Sequence, residues 1–133
     1  MSPIRLVPPP TAFRATKQRR PRKQEGAHLD FIRSLPCVIC GRGDDTHAAH
    51  IRAACPALGK RETGAGEKPS DAWTVPLCGD HHVFGQDAQH GRGELRWWIE
   101  HNINPFILAL ALYRASGDHE TAKSIIAMAG ATP

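Results

Sequence analysis

The spacing of apolar and polar residues divides the chain into short helical and extended segments. Apolar positions recur with helical spacing over residues 27–34, and the proline that follows predicts the end of that helix. Residues 46–51 and 73–78 are short runs rich in β-forming residues, which predicts two strands. The segment 52–71 between them carries several glycines and prolines and is predicted to be a long loop. Loops of this length in a small domain tend to be functional.

Four helices are predicted after the second strand. The first begins after Gly79 and continues toward His90. The second covers residues 93–102, with Leu95, Trp98 and either Ile99 or His101 on related faces. Two more follow, each with a recognisable start: Asn104 before a proline predicts a helix to Arg114, and Asp118 predicts one to about Ala129.

These elements predict an α+β fold in which a β-hairpin and a following helix are wrapped by accessory helices. We divide the chain into a basic arm over 1–26, a domain over 27–104, and a C-terminal helical extension over 105–133 that packs on the same domain. With 133 residues and few aromatics, the core is small, so a bound metal would stabilise it usefully.

Positive charge is concentrated at the start of the chain. Residues 1–26 hold seven basic side chains against one acidic side chain, a net charge of +6, while the remaining ten basic and twelve acidic residues give −2. With its prolines, this arm is predicted to be disordered and to seek polyanions, unless it is only a solubilising tail. The candidate nucleic-acid contacts are Arg19, Arg20, Arg22 and Lys23 in the arm, and Arg52, Lys60, Arg61 and Lys68 in the loop.

The chain lacks the features of an exported or membrane protein. Its first residues hold no continuous apolar segment, and the longest apolar run, 106–113, is too short to span a bilayer. We therefore expect a cytoplasmic protein, in which paired cysteines hold metal more often than they form disulfides.

Two short motifs predict a structural zinc site. One is Cys37-x-x-Cys40 and the other is Cys78-x-x-His81, and each tight turn can direct two ligands at one point. Together they can complete a tetrahedral shell whose formation supplies folding free energy. Two alternatives remain: reduced cysteines that only pack in the core, or Cys55 replacing the histidine.

If His81 binds zinc, the adjacent His82 is left pointing elsewhere. His50 in the first strand and Asp71 before the second could converge with it. Two imidazoles and a carboxylate around one cleft fit metal-assisted hydrolysis, with one histidine as the base. The alternative is that these histidines lie on the surface or are satisfied in the core.

Residues 33–101 resemble a known nuclease superfamily. The stretches "LPCVICG", "AAHIR", "GEKPSDAWTVPLCGDHH" and "GELRWW" are similar to HNH, or His-Me finger, nucleases, and more closely to small phage and prophage members related to the recombination-enhancement nuclease. The resemblance implies a ββα-metal core beside a structural zinc ion, with His50 as the general base. It also implies a catalytic divalent ion, Mg²⁺ or Mn²⁺, bound by His82.

The sequence departs from the superfamily pattern at two positions. Ala49 stands where many members carry a metal-binding aspartate, and Asp71 is the natural replacement unless it is an ordinary turn residue. Trp73 or Thr74 stands near the usual asparagine position, so a backbone carbonyl could orient the base instead. His90 could be a further ligand or an exposed histidine. His47 could contact the site residues without binding the metal itself.

The function predicted from these features is a metal-dependent DNA endonuclease or nickase of a bacterial or phage-infected cell. Its partners would be DNA and, as a further candidate, a recombination protein. Two alternatives are a non-catalytic, zinc-stabilised DNA-binding or recombination-accessory module, and an adaptor that binds proteins through the helices after residue 93. Trp97 and Trp98 could stack on bases, although packing in the core is the simpler expectation.

Overall fold

The computed structural model describes residues 25–63, 70–85, 88–89 and 93–130, and these form a mixed α+β fold. Its regular elements, in chain order, are α1 (Gly26–Arg33), β1 (Thr46–His50), a 3₁₀ turn (Pro56–Leu58), β2 (Thr74–Cys78), a π-helical turn (Asp80–Phe84), α2 (Glu94–Glu100), α3 (Pro105–Arg114) and α4 (His119–Gly130).

The two predicted strands pair as an antiparallel hairpin. Thr46 lies opposite Cys78 and His50 lies opposite Thr74, so the long loop leaves and returns at the His50 end. Both strand predictions are confirmed to within a residue or two at each end. The hairpin thus brings His50 and Thr74, which are 24 positions apart in sequence, to the same end of the sheet.

The helix predicted after Gly79 is shorter than the sequence suggests. Its described start is a π-helical turn, and Gly85 follows this turn in an extended conformation with φ −83° and ψ 171°. The Gly85 N–H donates to the carbonyl of Asp80 at 2.9 Å, which closes the turn. His90 lies outside the described residues, so its predicted place on this helix stays a prediction.

Helix α2 buries both tryptophans, as expected, but not the apolar residues that the helical spacing groups with Trp98. Trp97 and Trp98 are 0% and 1% exposed, whereas Leu95 and Ile99 are 43% and 75% exposed. The two indole rings meet edge to face with centroids 4.8 Å apart. Adjacent positions on a helix differ by about 100°, so both can be buried only where neighbouring segments cover a wide face of the helix. Both tryptophans therefore pack in the hydrophobic core.

The C-terminal helices begin where the capping residues predict. The Asn104 side chain accepts hydrogen bonds from the N–H groups of Phe106 and Ile107 at 3.0 and 3.1 Å, and the Asp118 side chain accepts one from the Thr121 N–H at 3.2 Å. Helix α3 contacts β2 and α4.

The end of α4 lies close to the first cysteine turn. A Cβ atom on Gly130 would stand 2.7 Å from the carbonyl oxygen of Val38. Only glycine permits this approach, so the last helix packs directly behind the candidate metal ligands.

None of the helices in the described part of the chain is both long enough and apolar enough to cross a membrane.

Candidate metal centre and polar cleft

The first ligand pair sits on a tight turn between α1 and β1. The Cys37 N–H donates to the Arg42 carbonyl and the Gly41 N–H donates to the Cys37 carbonyl, both at 2.8 Å. Gly41 has φ +78°, a left-handed conformation that glycine adopts without strain. The Val38 N–H donates to the Pro76 carbonyl at 3.1 Å, which attaches this turn to β2.

The second ligand pair comes from the end of β2 and the π-helical turn. The Cys78 Sγ and His81 Nδ1 atoms are 3.2 Å apart, and Cys37 Sγ lies 3.8 Å from the same nitrogen. Cys40 Sγ lies 3.8 Å from Cys78 Sγ. All four ligand atoms lie within 4.8 Å of one another, and no other such group occurs among the described residues.

These distances fit a tetrahedral zinc ion. Zn–S bonds of about 2.3 Å and a Zn–N bond of about 2.0 Å place two sulfurs ~3.8 Å apart and a sulfur and a nitrogen ~3.5 Å apart. The Cys40–Cys78 sulfur separation matches the first value, and the two distances from sulfur to His81 Nδ1 lie on either side of the second. The predicted Cys₃His cluster is therefore confirmed as a group that could hold a metal ion, and its donors suit structural zinc. Cys55 lies outside it.

Burial raises the pKa of one cysteine of this cluster, Cys37. Cys37 and Cys78 are each 1% exposed. The three cysteines of the cluster, like Cys55 outside it, form no disulfide. Desolvation of the thiolate raises the pKa of Cys37 to about 11. A metal ion that binds here must displace the thiol proton, so metal binding releases protons.

His50 and Asp71, 21 residues apart in sequence, form a close pair at the open end of the hairpin. His50 Nε2 lies 2.8 Å from Asp71 Oδ1. The other carboxylate oxygen accepts the Glu25 N–H at 2.8 Å, so Asp71 also holds the start of α1. The Asp71 side chain is 3% exposed and the His50 side chain is 24% exposed. A buried carboxylate thus orients a solvent-accessible imidazole.

His50 lines a cleft of about 260 Å³ whose other walls are Arg52, Gln89, Gly93 and Glu94. Sequence reasoning selected His50 and Arg52 but did not select the other three. The Glu94 carboxylate accepts the Arg52 N–H at 3.0 Å and the Ala53 N–H at 2.8 Å, which fixes the chain as it leaves β1. For Glu94, the sequence signal that could have identified it was an acidic residue in the first turn of a helix. Nothing in the sequence pointed to Gln89.

His82 is paired with a histidine that sequence reasoning placed only in a supporting role. Its Nδ1 lies 3.0 Å from the Nδ1 of His47, and the two rings meet edge to face. His47 Nε2 in turn lies 3.5 Å from Asp45 Oδ1. The His82, His50 and Asp71 side chains do not form a converging ligand group within the described part of the chain. The structure thus arranges them as two pairs, His50–Asp71 and His47–His82.

Among the described basic residues of the loop, Lys60 is the least available to a ligand. It is 5% exposed, and its Nζ donates to the carbonyls of Ala53 and Arg61 at 2.8 and 3.3 Å. Burial lowers the pKa of Lys60. Arg52 and Arg61 are exposed. The other candidate nucleic-acid contacts lie outside the described residues: Arg19, Arg20, Arg22, Lys23 and Lys68.

A family model described as "Protein of unknown function (DUF968)" matches residues 4–103, which is more than half of the chain. The matched range includes both ligand pairs, both strands and α2. Neither the curated proteins nor the solved structures contain a match to the chain.

Proposed function

The chain belongs to the DUF968 family of unknown function, and we propose that it is a DNA endonuclease or nickase with an HNH-type ββα-metal core. The observation that carries this proposal is the His50–Asp71 pair, with its 2.8 Å contact, at a cleft that also holds Arg52. An oriented imidazole beside a cationic side chain suits hydrolysis of a phosphodiester.

In this reaction His50 acts as the general base. Its Nε2–H donates to the Asp71 carboxylate, so the unprotonated Nδ1 can accept a proton from water. The water oxygen forms a bond to phosphorus while the bond from phosphorus to the 3′-oxygen breaks, and solvent protonates the leaving oxygen. Asp71 stabilises the imidazolium as it forms. The products would carry 3′-hydroxyl and 5′-phosphate ends.

The divalent ion that we expect for this chemistry would stabilise charge on the phosphate and the leaving oxygen. Within the described residues, His82 and His47 offer the best donors for it, because their Nδ1 atoms are 3.0 Å apart. Asp71 is better suited to orienting His50, since both of its oxygens already accept hydrogen bonds. Two imidazoles favour manganese or a later transition metal over magnesium.

The test is nicking of supercoiled plasmid in Mg²⁺, Mn²⁺ or Ni²⁺ by the zinc-loaded full chain. Loss of a general base should lower the rate of His50→Ala by about 100-fold or more. Asp71→Asn should lower the rate as well, because the amide can fix the wrong imidazole tautomer. His119→Ala, which changes an exposed histidine on α4, is the control and should nick normally.

A second function, a zinc-stabilised DNA-binding module without catalysis, is favoured by a different observation. Ala49, at the position of the usual aspartate ligand, is 0% exposed, and the described residues contain no second group of three converging metal ligands. Salt-sensitive DNA binding with no cleavage in any of the three metals would support this module and exclude the nuclease.

A further inference from the structure

We propose that Gln89 is a phosphodiester-binding residue, whose side-chain amide donates a hydrogen bond to a non-bridging oxygen of a DNA phosphate held in the His50 cleft. This inference deepens the proposed function and rests on it, because it takes the cleft to be the place where the DNA backbone binds.

The first support is the unsatisfied amide itself. Gln89 is 3% exposed, and its Nε2 has no hydrogen-bond partner in the part of the chain that the structure describes. Buried side-chain amides nearly always have a partner, because removing N–H groups from water without one is costly. Gln89 lines the cleft, so a ligand atom that enters the cleft is the partner we assign to this donor, once the side chain turns its N–H groups toward it.

The neighbouring groups select an anion as that ligand. Arg52 contributes a cation and His50 contributes an imidazole. Among the described residues of the cleft wall Glu94 is the one carboxylate, and both of its oxygens already accept backbone N–H groups of residues 52 and 53. The cleft wall also contains the Gln89 amide and the Arg52 guanidinium, which can donate to phosphate oxygens, and the His50 imidazole, whose Nε2–H is directed at Asp71.

The size of the cleft agrees with this ligand. A volume of about 260 Å³ lies below the usual range for pockets that enclose a whole small molecule. It suits a phosphate group with part of its sugars, while the bases remain outside. Gly93 leaves one wall open, since a Cβ atom placed there would meet no atom within 4 Å. The backbone of a longer nucleic acid could leave the cleft on that side.

The experiment observes the Gln89 side chain directly by NMR. The ¹⁵N-labelled, zinc-loaded full chain is titrated with a thymidine dinucleotide joined by one phosphodiester, in buffer without added catalytic metal. The Gln89 side-chain NH₂ signals are assigned by through-bond experiments and by their loss in Gln89→Met. Their chemical shifts should change as dinucleotide is added and reach a plateau when the site is saturated. The uncharged methylphosphonate dinucleotide should bind about tenfold more weakly, since it lacks the charged oxygen.

Two variants at the same position serve as the matched pair. Gln89→Met removes the donor and should weaken dinucleotide binding about threefold, whereas Gln89→Glu places a carboxylate against the phosphate and should weaken it about tenfold or more. Thermal melts of both variants establish that they fold. If either unfolds, the wild-type titration with the two dinucleotides still decides the question.

The outcomes separate this inference from the proposed function. No shift of the Gln89 signals, or equal affinity for the two dinucleotides, overturns the inference, and equal affinity would instead indicate a base contact. A normal Gln89 shift in a protein that never nicks DNA overturns the nuclease and leaves the phosphate site standing. Plasmid nicking with unperturbed Gln89 signals supports the nuclease and overturns the phosphate-binding role of Gln89.

Discussion

At the scale of single residues, the adjacent histidines His81 and His82 make different contacts. The Nδ1 of His81 lies 3.2 Å from Cys78 Sγ, inside the metal-binding group. The Nδ1 of His82 instead lies 3.0 Å from His47. Neighbouring side chains on a helical turn point in directions about 100° apart, so the two rings lie on different sides of the turn. The two histidines therefore belong to two separate groups of side chains.

Mutation of each histidine should separate these roles. His81→Ala should lose zinc and unfold at lower temperature, because a structural zinc ion contributes directly to folding. His82→Ala should keep its zinc and its melting temperature within a few degrees, but lose plasmid nicking. Zinc content by atomic absorption, thermal melts and nicking rates measure the three effects. Equal destabilisation by both changes would contradict the division.

At the scale of elements, the first part of the loop after β1, residues 52–63, holds more hydrogen-bonded structure than its glycine and proline predict. Residues 56–58 form a 3₁₀ turn, and Cys55 and Lys60 exchange backbone hydrogen bonds of 2.9 and 3.1 Å across it. The buried ammonium group of Lys60 then bonds to the Ala53 and Arg61 carbonyls. A lysine selected as a phosphate contact thus holds the loop closed, while Arg61 beside it is exposed.

A lysine and an arginine that are neighbours in sequence provide a matched test of this loop. Lys60→Met should raise amide exchange at Cys55 and at position 60 about tenfold, since loss of the buried ammonium hydrogen bonds costs about 1–2 kcal/mol locally. Arg61→Met should leave exchange unchanged but reduce the salt dependence of DNA binding by about one unit of slope. Hydrogen exchange by NMR and DNA titrations at several salt concentrations measure the two effects. If Lys60→Met lowers DNA affinity more than Arg61→Met and leaves exchange unchanged, Lys60 is a phosphate contact.

At the scale of the whole molecule, a buried histidine joins the first helix to the end of α3. His28 is 3% exposed, its Nδ1 lies 2.8 Å from Ser116 Oγ, and its ring meets that of Tyr113 edge to face. Its Nε2 has no partner within the described residues. Burial lowers the pKa of His28, and the carboxylates of Glu25 and Asp71 offset only part of that effect.

The fold should therefore weaken in mild acid. Since the pKa of His28 is lower in the folded state, the unfolded chain binds the proton more readily, and the free energy of unfolding falls as the pH drops below about 6.5. His28→Gln removes this titration. With zinc in excess, urea unfolding near pH 7.5 and near pH 5.5 should show the wild type losing more stability than the variant. An equal loss in both proteins would show that His28 does not control the acid response.

The sequence alone determined the features that depend on short-range spacing. The two ligand pairs, the two strands and the caps at Asn104 and Asp118 were all predicted and are present, because each is defined by residues within a few positions of one another. The nuclease activity, the catalytic ion and the DNA partner stay predictions.

Only the tertiary structure decided which distant side chains meet. It brought His50 to Asp71 across 21 residues, a convergence that the sequence also suggested, but it paired His82 with His47 across 35. It also placed Gln89, which no motif distinguishes, in the wall of the His50 cleft. Such contacts depend on the path of the loop and on how the helices pack against the hairpin. Those features are set by burial of the whole core, so no local pattern of residues encodes them.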